Sequence, residues 1–213
     1  MTERDSLPLL LLGTTSGGKI REFRHLLAGL PARLVIPPDV GIDFDVEEGD
    51  RSFAENAAIK ARAYRAASGL LTLGEDSGFV VDVLGGEPGV RSARWGETDD
   101  YAVKNRLILE RLADVPPGRR TCRYVSHIAI IGSDGRVHRR SGSCTGYVAT
   151  EPRGSGGFGY DPIFFVPSAD RTMAELAPEE KGRLSHRGRA VAHALPLLER
   201  LLREAPMSPD TDL

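Results

Sequence analysis

A strand that runs directly into a glycine-rich turn and then a helix constrains the fold of this chain more than any other feature. The apolar run Leu9–Leu12 predicts a short buried strand, and the turn 13–18, GTTSGG, follows it. In Lys19–Leu27, hydrophobic residues recur at helical spacing. Strand, turn and helix in this order are typical of α/β proteins.

The remaining pattern extends the same alternation. Strands are predicted at residues 32–36, 70–74, 79–84, 122–131 and 137–149. Helices are predicted at residues 54–67, capped by Ser52 and Glu55, at 100–112, starting from Asp99 or Asp100, and at 189–202. We therefore expect an α/β fold with a mixed central sheet flanked by helices. One domain is expected over residues 1–203, with a disordered tail over 204–213.

Composition and charge narrow the partners and the compartment. The 213-residue chain is 40% hydrophobic and 27% charged, which suits a globular domain with a sizeable core. A net charge of −2 gives no overall field that would attract nucleic acid or an acidic membrane. The apolar run Leu7–Leu12 is too short to span a membrane and lacks the basic start of a signal peptide, so we expect a cytoplasmic protein. Cys122 and Cys144 are expected to be small core residues.

The turn at residues 13–19 is a candidate phosphate site. It matches G-x-x-x-x-G-K, the start of a P-loop, although Ile20 stands where a P-loop carries the Ser or Thr that holds Mg²⁺. Backbone N–H groups at a helix N-terminus favour phosphate, and Lys19 adds a positive charge. The alternative is a tight turn that only connects two elements.

Acidic residues in two places are candidate metal ligands. One pair is Glu47-Glu48, and the other, Glu75-Asp76, follows the strand predicted at residues 70–74. Mg²⁺ prefers oxygen ligands and is usually held by one or two carboxylates together with substrate phosphates. An acid at the C-terminal end of a strand points to the usual ligand side of an α/β sheet. A turn role for Asp76 and solvated loop charges for the Glu pair are the alternatives.

A third group of candidates lies late in the chain. Residues 154–165, GSGGFGYDPIFF, begin with four glycines in six positions, and Lys181, His186 and Arg187 follow. We expect all of them within one loop-and-strand region, with Ser185–Gly188 as a loop. Glycines let a backbone approach closely, so the mixture suits a ligand with a flat ring at one end and negative charge at the other. A structural histidine and a solvent-exposed loop arginine are the alternatives.

Taken together, these motifs resemble the inosine triphosphate pyrophosphatase family, whose members are also called XTP/dITP diphosphatases. The resemblance covers residues 9 to about 201. It rests on FAENA at 53–57 with Lys60, EDSG at 75–78, GGEPG at 85–89 with SAR at 92–94, GGFGYDP at 156–162 and SHR at 185–187. Because several motifs occur in the same order, the probability of a chance match is very small.

The resemblance implies a fold and an activity. The fold is that of the inosine triphosphate pyrophosphatases, and the enzyme is a Mg²⁺-dependent homodimer. It hydrolyses deaminated purine nucleoside triphosphates (dITP, ITP and XTP) to the monophosphate and pyrophosphate by water attack at the α-phosphate. Such an activity cleanses the nucleotide pool.

The resemblance also implies roles for individual residues. The triphosphate-binding loop corresponds to Thr14, Thr15, Ser16, Gly17, Gly18 and Lys19. The metal-binding acids correspond to Glu48 and Asp76, with Glu47 as the alternative to Glu48, and the general base corresponds to Asp76. The substrate-contacting positions correspond to Ser77, Phe158, Gly159, Tyr160, Asp161, Lys181, His186 and Arg187. This chain carries Thr15-Ser16 where the family usually has Gly-Asn, and Glu75 where Asp is commoner.

Charge explains how such a set would work. Lys19 and Lys60 are expected to offset the charge of the phosphate chain, and Asp76 to take a proton from the attacking water. The 6-oxo group of hypoxanthine and xanthine needs a donor, which His186 or Arg187 can supply. The amino group of adenine would leave that donor unpaired. Phe158 offers a face on which the base can stack.

Two other hypotheses stay open from the sequence alone. Ser16 and Ile20 depart from phosphate-loop patterns, which favours a regulatory module that binds nucleotide without hydrolysing it. A related diphosphatase that acts on methylated or pyrimidine nucleotides is the third hypothesis. The sequence does not rank dITP, ITP and XTP as substrates.

Overall fold

A computed structural model describes residues 7–204, and its strands form one mixed sheet. The strands are β1 (Leu9–Gly13), β2 (Arg33–Val35), β3 (Leu71–Val81), β4 (Thr121–Ile131), β5 (Val137–Val148), β6 (Phe164–Val166) and β7 (Arg171–Thr172). Their order in the sheet is β2-β1-β3-β4-β5-β6-β7. Strand β1 pairs in parallel with β2 and β3, whereas β6 pairs antiparallel with β5 and β7. The expectation of an α/β fold with a mixed sheet is confirmed.

Several of the helices begin at residues whose side chains cap them. They are α1 (Gly17–Leu26), α2 (Phe53–Ser68), α3 (Tyr101–Arg111), α4 (Pro178–Leu184) and α5 (His186–Glu204). The Ser52 hydroxyl accepts from the Glu55 N–H at 3.2 Å, and Asp100 Oδ1 accepts from the Ala102 N–H at 2.7 Å. Helix α2 ends at Gly69, whose φ of 71° is the left-handed conformation that glycine adopts readily. The predicted caps at Ser52 and Asp100 are therefore confirmed.

The described chain divides into two compact units. The first comprises residues 7–76, His127–Ser141 and 190–204, and the second comprises Ser77–Ser126 and Gly142–Arg189. In the first unit, Phe23, Leu12 and Leu198 belong to one buried hydrophobic cluster. In the second, Phe79, Tyr160 and Phe164 do the same. One domain over 1–203 stays a prediction, and residues 205–213 of the predicted tail lie outside the described residues.

Strand β3 corrects one expectation from the sequence. Residues 75–78 were expected to separate two strands, but Leu71–Val81 is a single strand. Pairing with β1 ends at the Gly13–Gly74 pair, while β4, equally long at 11 residues, lies on the other side of β3. The long neighbour explains why the strand continues. Asp76 thus lies inside a strand, two residues beyond the last pair with β1, and not at a strand end.

The start of α5 corrects a second expectation. Ser185–Gly188 was expected to be a loop, but the helix begins at His186. The Ser185 hydroxyl accepts from the Gly188 N–H at 3.1 Å, so Ser185 caps this helix. Lys181 lies on α4, and His186 and Arg187 lie in the first turn of α5. The idea of one loop-and-strand region for all these residues was therefore wrong.

Two smaller expectations can be compared with the structure directly. Cys122 and Cys144 are each 2% exposed, which confirms them as core residues, and burial raises the pKa of both thiols. Within residues 7–204, no helix combines the length and the apolar character that crossing a membrane requires.

Candidate active site

The glycine-rich turn leaves the sheet at the end of β1 and becomes the first turn of α1. The hydroxyl of Thr14 accepts from the Ser16 N–H at 3.2 Å, which tightens the turn. Helix α1 then begins at Gly17, so that Gly18 and Lys19 belong to its first turn. The Ser16 side chain makes no capping hydrogen bond, and the first turn contains no acidic residue. The start of α1 is thus suited to an anion, because N–H groups and a lysine coincide there.

A close approach between α2 and β3 brings helix side chains to the acidic strand. A Cβ on Gly74 would collide with the Ala57 carbonyl oxygen and would lie 2.7 Å from the Ala61 nitrogen. Only glycine therefore permits this crossing. Asn56 and Lys60, one helical turn apart on α2, then reach the strand just beyond Gly74.

Three carboxylates and two lysines form a buried cluster in the first unit. Lys60 Nζ pairs with Glu48, lies 3.5 Å from Asp76 Oδ1 and donates to the Glu75 carbonyl oxygen at 3.1 Å. Lys19 Nζ lies 3.0 Å from Glu75 Oε2 and 3.9 Å from Asp76 Oδ1. Glu75 is fully buried and Asp76 is 4% exposed. The structure therefore brings together the predicted residues Lys19, Glu48, Lys60 and Asp76.

Burial and charge shift the pKa values of Asp76 and Lys60 in a defined direction. Burial raises the pKa of Asp76, and the nearby Lys60 and Lys19 reduce that rise without cancelling it. Burial alone lowers the pKa of Lys60, but Asp76 and Glu48 outweigh it, so the net pKa is raised. Lys60 therefore stays charged, and Asp76 is a stronger base than an ordinary aspartate.

The acidic loop before α2 separates the two candidate glutamates. Glu48 is partly buried and pairs with Lys60, whereas Glu47 is exposed. Thr15 of the glycine-rich turn donates from its hydroxyl to Asp45 Oδ1 of the same loop at 3.1 Å. Of the two glutamates, Glu48 is thus the one that the structure places with Asp76.

A second cluster forms in the second unit around Phe158. Asp161 Oδ2 accepts from the Phe158 N–H at 2.8 Å and from Lys181 Nζ at 2.5 Å. Gly157 lies in the left-handed region with a φ of 70°, and a Cβ there would collide with Asp161 Oδ2. Glycine at 157 therefore allows Asp161 to fold back beneath the Phe158 backbone.

Positive groups flank the Phe158 ring. Lys181 Nζ lies 5.4 Å and Arg187 Cζ 5.6 Å from its centroid. Arg187, although only 1% exposed, donates to the Ser77 hydroxyl at 2.8 Å. His186 stacks on Tyr124 with ring centroids 4.5 Å apart. The second cluster thus combines an aromatic face with buried donors.

Comparison with known sequences identifies the family. A sequence model described as the Ham1 family matches residues 10–197. The chain belongs to the Ham1 family.

Curated relatives of this Ham1 family member support the resemblance found in the sequence. A protein named dITP/XTP pyrophosphatase from Symbiobacterium thermophilum is 52% identical over 198 residues, covering 92% of this chain and 97% of the relative. One of the same name from Desulforamulus reducens is 43% identical over 193 residues, covering 90% of this chain and 96% of the relative. The recognition of the inosine triphosphate pyrophosphatase family is confirmed.

Solved structures agree on the fold. The Ham1 protein of Staphylococcus aureus superposes with a TM-score of 0.79 at 34% identity, covering 90% of this chain and 98% of that one. A structure from Mycobacterium abscessus, titled nucleoside-triphosphatase / dITP/XTP pyrophosphatase, superposes with a TM-score of 0.70 at 42% identity. It covers 88% of this chain and 99% of that chain. The expected inosine triphosphate pyrophosphatase-like fold is confirmed.

In this Ham1 family member, the structure shows contacts of four residues that the sequence did not predict. Two of these residues were expected at the site and two were not. Tyr160 lies in the core at 2% exposure, and its hydroxyl donates to the Ser92 carbonyl oxygen at 2.9 Å. Gly159 next to it accepts at its carbonyl oxygen from Asn105 Nδ2 at 3.2 Å. Sequence reasoning missed Asn105 and also Asn56, whose amide contacts Asp76. The signal for Asn56 was its spacing of four residues from Lys60 on one helix.

Proposed function

We propose that this Ham1 family member hydrolyses deaminated purine nucleoside triphosphates (dITP, ITP and XTP) to the nucleoside monophosphate and pyrophosphate. It is a nucleoside triphosphate diphosphatase, an enzyme of nucleotide metabolism, as the names of its curated relatives support. The observation that carries the proposal is Asp76, a buried carboxylate near both Lys19 and Lys60 in the unit that holds the glycine-rich turn.

The donor set of the first cluster suits Mg²⁺. Asp76 and Glu48 both lie by Lys60 Nζ, and carboxylate oxygens are the ligands that this cation prefers. Within residues 7–204, no group of three or more His, Cys, Asp and Glu side chains is arranged around a metal position. One or two carboxylates with substrate phosphates are the usual ligand set. We therefore assign Asp76 and Glu48 as ligands; when bound, Mg²⁺ supplies charge neutralisation at the phosphate oxygens.

The protein's own residues then position the reaction. The N–H groups at the start of α1, in Gly17–Lys19, bind phosphate oxygens, and Lys19 and Lys60 offset the negative charge that pyrophosphate carries away. Asp76 takes the proton of the water that attacks the α-phosphorus. Thr14, Thr15 and Ser16 shape the turn that precedes these N–H groups.

Residues of the second unit recognise the base in this proposal. Phe158 stacks on the purine. Asp161 holds this ring in position because it accepts hydrogen bonds from the Phe158 backbone N–H and from Lys181. His186 or Arg187 donates to the 6-oxo group, which adenine lacks. Ser77 positions Arg187 by accepting its hydrogen bond. Gly159 follows Phe158 in the chain, and Tyr160 anchors the same loop in the core through its hydrogen bond to the Ser92 carbonyl oxygen.

Other parts of the expectation stay predictions. The homodimer is implied by the resemblance, the cytoplasmic location follows from the sequence, and the absence of a nucleic-acid partner follows from the net charge. No observation in the described part of the chain or among its relatives favours a regulatory module that binds without hydrolysing.

A pyrophosphate-release assay tests the proposed function. Purified enzyme is given ITP, XTP, dITP, GTP, ATP and dUTP in turn, each with Mg²⁺ and with a chelator. We expect release from the first three with Mg²⁺ and little from ATP, because the 6-amino group of adenine leaves the donor unpaired. GTP carries the same 6-oxo group, so its rate relative to that of XTP measures how the site treats the 2-amino group. Tight binding of dITP with no pyrophosphate would overturn the assignment as an enzyme. Preference for dUTP or ATP would overturn the substrate class.

A further inference from the structure

Asn56 of α2 is a buried amide that bonds to two different parts of the carboxylate cluster. Its Nδ2 donates to Asp76 Oδ2 at 3.0 Å and to the Gly49 carbonyl oxygen at 3.0 Å. Its Oδ1 accepts from the Gly49 N–H at 2.9 Å. The side chain is 1% exposed. Both donor hydrogens of the amide and its acceptor oxygen are therefore engaged.

The bond to Asp76 fixes the rotation of that carboxylate. Lys19 and Lys60 approach Asp76 through its Oδ1, at 3.9 Å and 3.5 Å, whereas Asn56 bonds to Oδ2. The two oxygens thus have different partners, so turning the carboxylate plane away from its present angle would lengthen contacts on both sides. A neutral amide can do this without adding charge, whereas a carboxylate at 56 would repel Asp76.

The hydrogen bonds from Asn56 to Gly49 hold the backbone next to the other acid, Glu48. Gly49 follows Glu48 directly, and its N–H and carbonyl oxygen both bond to Asn56. Glu48 reaches back to Lys60, which lies one turn after Asn56 on the same helix. Asn56, Gly49, Glu48, Lys60 and Asp76 therefore form a closed ring of contacts. Within this ring Asn56 is the member that touches both acidic segments without being charged.

We propose that Asn56 is a positioning residue that holds Asp76 and Glu48 in the relative geometry that lets both bind one divalent cation. The inference rests on the proposed function, because that function gives the two acids their shared ligand. Loss of a residue that orients metal ligands typically costs about 10–100-fold in metal affinity or activity. A residue with only a structural role would lower stability without changing the metal requirement.

Two substitutions and one matched control test the inference. Asn56→Leu keeps about the same volume but loses the donors and the acceptor of the amide, and Asn56→Ser removes the amide with a smaller side chain. Ser52→Ala removes the cap of the same helix, which destabilises α2 without touching either acid. Mn²⁺ binding to the free enzyme is measured by electron paramagnetic resonance, and pyrophosphate release from dITP is measured against Mg²⁺ concentration. Thermal unfolding of each variant measures its stability.

The expected result separates metal geometry from stability. Both Asn56 variants should bind Mn²⁺ about tenfold or more weakly and need correspondingly more Mg²⁺ for half-maximal activity. Ser52→Ala should unfold at a lower temperature with both metal measures unchanged. A double-mutant cycle with Glu48→Gln adds a second readout. Because Asn56 acts through Glu48, its substitution should cost less when Glu48 is already changed.

Each other outcome has a defined meaning. Wild-type Mn²⁺ affinity and Mg²⁺ dependence in a folded Asn56 variant, or strict additivity with Glu48→Gln, would overturn the inference. If neither Asn56 variant unfolds cooperatively, Asn56 is a structural residue and the inference is overturned as well. If the wild type releases no pyrophosphate from any triphosphate, the proposed function fails. In that case Mn²⁺ binding still decides the role of Asn56.

Discussion

The two clusters of this protein carry opposite balances of charge. In the first, the carboxylates of Glu48, Glu75 and Asp76 outnumber the ammonium groups of Lys19 and Lys60. In the second, one carboxylate, Asp161, stands with two cations, Lys181 and Arg187, and an aromatic ring. A cluster with excess carboxylates suits a metal ion that arrives with phosphates. A cluster with excess donors suits the oxo groups of a base.

The clusters also differ in what holds them. The first depends on a helix that crosses a strand at Gly74, where no larger residue fits. The second depends on a loop whose Gly157 lets Asp161 fold back under Phe158. The comparison predicts that substitutions in the first cluster change turnover and stability, whereas those in the second change selectivity.

The largest effect is expected for Asp76→Asn. An amide cannot take a proton from water, so turnover with dITP and Mg²⁺ should fall by about 10²–10⁴-fold. The variant should fold, because an Asn side chain can still accept from Asn56. Asp82→Asn is the control, since Asp82 is an exposed acid that bonds to Thr121 and Arg123. Turnover of Asp76→Asn near that of the wild type would remove the first cluster from catalysis.

A stability effect is expected for Lys60→Met. Breaking a buried ion pair by removing one partner typically costs about 3–5 kcal/mol, because the opposite charges stay buried. Lys104→Met is the contrast. Lys104 is buried, which lowers its pKa, and it donates to the Ala93 carbonyl oxygen. Loss of the Lys104 side chain should therefore cost only about 1–3 kcal/mol. Urea unfolding of both variants measures the difference. Equal costs for the two lysines would show that the acids of the first cluster do not need Lys60.

A smaller, selective effect is expected for Arg187→Ala. Removing a donor to the 6-oxo group should narrow the ratio of kcat/KM for ITP to that for ATP by about tenfold. The ratio is the proper measure, because it does not depend on how much of the sample is folded. An unchanged ratio would show that the second cluster does not read the base through Arg187.

Much of this fold follows from local signals in the sequence. The strand, glycine turn and helix at residues 9–27, the Ser52 cap and the Gly69 end of α2 all depend on neighbouring residues, which a sequence displays. Strand β3 was different, because its continuation through residues 75–78 depends on the long neighbour β4, far away in sequence. Pairing between strands that are far apart in sequence cannot be predicted from the residues next to each strand.

The site shows the same division. Lys19 and Asp76 could be selected from the sequence by residue type and position. The ion pair between Glu75 and Lys19 could not be predicted, because it depends on the register between β1 and β3. Asn56 was overlooked because a buried amide in an Ala-rich helix has no charge to draw attention. The cap of α5 at Ser185 was overlooked because the Ser-His-Arg-Gly stretch was assigned to a loop.

Hydrolysis of dITP in water enriched with ¹⁸O shows which phosphorus the water attacks. Because the proposed attack is at the α-phosphorus, one ¹⁸O atom should enter the monophosphate and none should enter the pyrophosphate. Mass spectrometry of the two products measures this. Label in pyrophosphate, or the formation of dIDP with labelled orthophosphate, would show attack at a different phosphorus.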